Sequence, residues 1–110
     1  MINVRYDGRY AIDIRGHAGQ AVCGHDLVCA GASVLIYALA EYLNSNAQKC
    51  KKLDVSLKSG QGRIIAIPFE EHASEVLSAF ETAVHGYMHL AQGYPDYIRL
   101  SDCIYKDSPT

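Results

Sequence analysis

The chain has 110 residues, 49% of them apolar, and a formal net charge of −2. That fits one domain, residues 1–110, with one modest core, and it argues against a broad nucleic-acid footprint, for which clustered positive charge is needed. Isolated basic spots such as Lys49, Lys51 and Lys52 remain, and no apolar run is expected to reach the ~20 residues of a membrane span.

Ile2, Val4 and Tyr6 alternate with polar residues, which predicts a strand. Asp7-Gly8 signals a tight turn, and Tyr10, Ile12 and Ile14 alternate again, so a hairpin should end at Gly16. The alternation at Met1–Asp7 lacks the block order of a signal peptide. The expected address is therefore the cytoplasm, and the four cysteines (Cys23, Cys29, Cys50 and Cys103) are expected to be free thiols.

Residues 17–26 have no clear period and read as a loop. A helix should start near Asp26, a favoured N-cap residue. From there Val28, Ala32, Leu35, Ile36, Leu39 and Leu43 keep helical spacing. The stretch Val34 to Ala40 is apolar on every side, which predicts burial on more than one face, against the sheet and against a second helix or subunit. Leu53, Val55 and Leu57 alternate, a turn follows at Ser59-Gly60-Gln61-Gly62, and Ile64 to Phe69 predicts a strand with little exposure on either side. Ala73, Val76, Leu77, Phe80, Val84, Tyr87, Met88 and Ala91 step by three and four, giving a second helix that Gly93 and Pro95 stop. A short final strand can follow at Tyr97–Leu100. The order ββαββα predicts an α+β fold, two helices covering one face of an antiparallel sheet.

The chemistry concentrates between Gly16 and Leu35. With the cap at Asp26, Cys29 falls in the opening helical turn, whose free N–H groups favour a thiolate. Those groups also suit the oxyanion of an acyl-transfer intermediate. His17, at the end of a strand, can serve as the base of a Cys–His pair. Ser33, four residues after Cys29, shares its helix face and is either a hydrogen-bond partner or a packing residue. The same cysteine also reads as a small buried hydrophobe. A rival chemistry is present too, because His17, Cys23, His25 and Cys29 are zinc ligands in type and number, although not in the spacing of a common finger.

Gly16-His17-Ala18, then Asp26-Leu27-Val28-Cys29-Ala30 opening a helix, then Ser33, resemble the ribosomal-processing cysteine protease family, Prp. Length and element order extend the resemblance over the whole chain. It implies a cofactor-free cysteine endopeptidase with Cys29 as nucleophile and His17 as base, supported by Asp26 and Ser33. It implies a substrate loop at Ala18, Gly19, Gln20, Ala21, Val22, Cys23, Gly24 and His25. The implied partners are a large-subunit ribosomal protein precursor, whose short hydrophobic N-terminal extension is removed, and a second copy of the chain packed through helices. Neither nucleic acid nor membrane is an expected direct partner. Gly31 departs mildly from the family pattern, where Ala is common. Two alternatives stay open at this stage: a non-catalytic ribosome-associated binding module on the same fold, and a zinc-binding adaptor. A Cys23–Cys29 disulfide acting as an off-switch is a further possibility.

Elsewhere, His85 and His89 have a metal-compatible spacing but lie off the apolar stripe and are expected to be solvated, as is His72. Cys50 reads as a loop thiol, Cys103 as edge-strand packing, and Tyr87, Tyr94 and Tyr97 as core or interface residues.

Overall fold

The computed structural model describes residues 1–16 and 23–102. His17, the loop residues Ala18, Gly19, Gln20, Ala21 and Val22, and Cys103 lie outside the described residues. The elements are β1 (Ile2–Tyr6), β2 (Ala11–Arg15), α1 (Cys23–Ser45), β3 (Cys50–Lys58), β4 (Gln61–Pro68), α2 (Ala73–Gly93) and β5 (Ile98–Asp102), with short 3-10 turns at Ala47–Lys49 and Glu70–His72.

The five strands form one sheet in the order β3-β4-β2-β1-β5. Neighbours pair antiparallel except β5, which runs parallel to β1. The sheet is therefore mixed, not purely antiparallel. Alternation alone carries no strand direction; α2 returns the chain so that β5 re-enters beside β1 in the same sense. The β1–β2 turn is held by Asp7, whose Oδ1 accepts from the N–H groups of Arg9 (2.8 Å) and Ala11 (3.1 Å), with Gly8 at φ +87°.

Both helices cover one face. Tyr6 stacks on Phe80 and Tyr10 meets it edge-on, which joins the first hairpin to α2. Val28, Ala32, Ile36, Leu39, Ala40 and Leu43 form the inner stripe of α1, while Val76, Phe80, Ala83, Val84 and Tyr87 form that of α2. Burial keeps the Tyr87 hydroxyl protonated, and it donates to the Ala32 carbonyl at 2.7 Å, tying α2 to α1. Truncating a fully buried aromatic such as Phe80 to Ala is expected to cost ~3–5 kcal/mol.

Several expectations need correction. The helix starts at Cys23, so Cys23, Gly24 and His25 are helical and Asp26 is inside the first turn, not at the cap. The polar run before Leu27 has no apolar period to announce that turn. Positions 23 and 29 on one helix are separated by a rise of ~9 Å, beyond the Cα separation a disulfide allows. The zinc set of His17, Cys23, His25 and Cys29 falls partly outside the described residues, since it includes His17. The apolar stretch is buried as expected against the sheet, where Ile36 lies beside Gly62, and against the second helix, where Leu35 lies beside Gly86; Val34 and Tyr37 point outward, 65% and 57% exposed. Ile67 is also exposed, and β4 alternates in burial because its second face is uncovered. Cys50 opens β3 and is buried, since the strand begins three residues before the first alternating leucine.

The stretch Leu27–Ser45 is long and apolar enough, by length and composition, to cross a membrane, contrary to the sequence expectation. Its inner stripe is packed in the core, as suits a core helix of a globular domain.

Candidate active site

Cys29 is the seventh residue of α1, one turn beyond the free N–H groups at the helix start. The dipole effect fades within the first turn, so helix geometry does not supply the activation and oxyanion donors that the sequence suggested. Burial does not hide the sulfur either: Cys29 is half-buried, with a free thiol, between the fully buried Val28 and the exposed Ala30.

It opens onto a cleft of about 120 Å³ at the end of the sheet. One wall is α1, with Cys29, Ala32, Ser33, Ile36 and Tyr37. The other is the ends of β1 and β2, with Ile2, Ile14 and Gly16, and the β3–β4 turn, with Leu57, Lys58, Gly60, Gln61 and Gly62. Two glycines set its shape. A Cβ on Gly62 would come within 2.9 Å of the Ile14 side chain and 3.3 Å of Ile36, so glycine lets α1 settle close to the sheet. Gly16 has φ +107°, a conformation L side chains rarely adopt, and a Cβ there would lie 2.3 Å from the Met1 carbonyl oxygen. The Gly16 N–H donates to the Gly60 carbonyl at 2.9 Å. The backbone immediately before His17 is thus pinned between the start of β1 and the β3–β4 turn, at the cleft wall facing Cys29.

Of the sequence-derived candidates, the structure brings Cys29 and Ser33 together in this cleft, beside Gly16. His17 lies outside the described residues, and for Cys23, His25 and Asp26 only the helical backbone is described. Ser33 is exposed at the cleft wall. Sequence reasoning missed Tyr37, Lys58 and Gln61. The Ser59–Gly62 turn was visible, but only the pairing of Arg15 with Gln61 puts that turn beside the end of β2.

The volume is below the ~300–1,000 Å³ of small-molecule pockets; it suits one or two side chains of an extended peptide. A larger hollow of about 260 Å³ between the helices, lined by Leu35, Ala38, Leu39, Tyr42, Ala79, Thr82 and Ala83, holds no cysteine, histidine or carboxylate. His85 and His89 are exposed, and no group of three metal-ligating side chains occurs among the described residues.

The family model described as cysteine protease Prp matches residues 1–99. Among solved structures, the chain is similar to an essential ribosomal processing protease Prp from S. aureus in complex with a substrate peptide. The TM-score is 0.74 at 22% identity, covering 93% of this chain and 99% of that one. The same protease with a covalently linked product peptide gives 0.74 at 23% identity, with the same coverage. SMU.848 from Streptococcus mutans gives 0.69 at 27% identity, covering 93% of each chain. At these identities the S. aureus structures establish the shared fold. No curated protein matches the chain.

Proposed function

The chain belongs to the cysteine protease Prp family and is a cysteine protease, and from that premise we propose that it removes the short hydrophobic N-terminal extension of a large-subunit ribosomal protein precursor through a Cys29–His17 dyad. The observation that carries the assignment is the cleft: Cys29 lines one wall, and Gly16, the residue before His17, lines the other. The likeness to a ribosomal processing protease bound to substrate peptide supports the substrate class.

In this mechanism His17 takes the Cys29 proton, and the sulfur attacks the scissile carbonyl. His17 then protonates the leaving amine, and water hydrolyses the thioester. Among the described residues the donors for the oxyanion are those of the cleft, Ser33 and Gln61, because the free N–H groups of α1 are a turn away. The exposed Val34, Tyr37 and Met88 on the helical side support a homodimer joined through helices. A cytoplasmic address completes the proposal, since its substrate is made there.

Incubation with a ribosomal-protein precursor peptide, read by mass spectrometry, tests the function. The wild type should release the extension as one fragment, and neither Cys29→Ala nor His17→Ala should. Cleavage by either variant, or none by the wild type dimer, overturns the proposal.

A further inference from the structure

Among the described residues nothing covers the sheet face away from the helices, and its charge is not that of the whole molecule. Strand register places Lys58, Gln61, Arg15, Asn3 and Arg99 in one row across all five strands. The next row is Ser56, Arg63, Asp13, Arg5 and Ser101. Each strand therefore contributes one cation, and the other positions are polar side chains and the carboxylate of Asp13. The side chains of Arg5, Arg15 and Arg63 are 46%, 58% and 44% exposed, and Lys58 and Arg99 are exposed too. Two carboxylates oppose them. Asp13, 2% exposed, takes Arg15 at 3.1 Å and Arg5 at 3.9 Å, and Asp54 lies 3.9 Å from Arg63. Five cations against two carboxylates leave the band at +3 in a chain of net charge −2, so the remainder carries −5. The total hides the segregation.

We propose that this band is an RNA-docking surface that binds the phosphate backbone. With strands ~4.8 Å apart and the two rows ~7 Å apart, the band is roughly 20 Å long and narrow. That shape follows a linear polyanion better than a plane of lipid headgroups, and among the described residues no aromatic side chain stands in the two rows to enter a bilayer or to stack on bases. Asn3, Gln61, Ser56 and Ser101 place donors and acceptors among the cations, where ribose 2′-hydroxyls would lie. Binding is therefore phosphate-directed and insensitive to base sequence. Lys58 and Gln61, at one end of the first row, also line the Cys29 cleft, whereas Arg63 and Arg99 do not.

A labelled short oligo(U) titrated with the full-length chain, with fluorescence anisotropy as the readout, tests it. Contact with three or four phosphates gives a slope of log K against log salt of about −2 to −3. Arg63→Gln with Arg99→Gln should weaken binding about tenfold at low salt and bring the slope to about −1, with peptide cleavage and circular dichroism unchanged. Arg9→Gln with Lys51→Gln, which changes net charge equally but away from the band, should have no effect, and Cys29→Ala should bind as wild type does. Absence of binding at about 50 mM salt, equal weakening by both pairs, or arginine-dependent binding to phosphatidylserine vesicles as tight as to RNA overturns the proposal.

Discussion

Cys29 and Cys50 both carry free thiols and both touch the same core, yet they occupy opposite kinds of place. Cys29 sits one turn past a helix start with its sulfur side on a cleft. Cys50 begins β3, is 8% exposed, and burial pushes its thiol pKa up, which keeps it neutral and inert. The difference teaches that access to a cleft, rather than residue type or core contact, sets the two cysteines apart.

The largest expected effect separates the two by substitution. Cys29→Ala should lower kcat/KM for a precursor peptide by at least ~10³-fold, about 4 kcal/mol in barrier, with little change in Tm. Cys50→Ala should leave cleavage intact and cost about 1 kcal/mol of stability in a urea titration, from the small cavity it opens. Reversed outcomes would break the comparison.

Alkylation comes next. Iodoacetamide near neutral pH should modify Cys29 at least ~100-fold faster than Cys50 in the folded protein, as resolved by peptide mapping. His17→Ala should slow Cys29 and leave Cys50 unchanged; equal rates at both sulfurs contradict the reading.

Gly16→Ala is a smaller but more diagnostic change. It places a Cβ against the Met1 carbonyl at a left-handed position, an expected loss of ~2 kcal/mol or more in thermal or urea unfolding. Its displacement of the backbone before His17 should lower kcat about tenfold, whereas Gly8→Ala, at a left-handed turn with open space around it, should affect stability alone.

The smallest effect is on alkaline stability. The folded-state pKa of Cys50 is above its unfolded value near ~8.5. Above that pH the unfolded chain loses the thiol proton first, so this contribution falls as pH rises toward the folded-state pKa. Urea titrations between neutral and alkaline pH should show a decline that Cys50→Ala lacks.

Much of this was legible in the sequence where one physical signal dominated. The α2 pattern fixed its ends because its apolar period runs without interruption from Ala73 to Gly93. The β1–β2 hairpin was equally plain, because Asp7-Gly8 and the flanking alternation agree. The start of α1 was not, since Cys23 to Asp26 are helical without an apolar stripe to say so, and Asp26 imitated a cap. The site was half legible. Cys29 and Ser33 stand out by spacing, but Tyr37, Lys58 and Gln61 reach the cleft only through strand register and helix packing. Buried Asp13 was hidden for the same reason: its neighbours Arg5 and Arg63 come from other strands.

The most direct test of Cys29 as nucleophile is to catch the covalent intermediate. Acid quenching during turnover of a precursor peptide, followed by digestion and mass spectrometry, should find the acyl mass on the peptide containing Cys29 and nowhere else. An acyl group on Cys23 or Cys50, or cleavage that proceeds at full rate with no acylated enzyme in the wild type and persists in Cys29→Ser, would contradict the account.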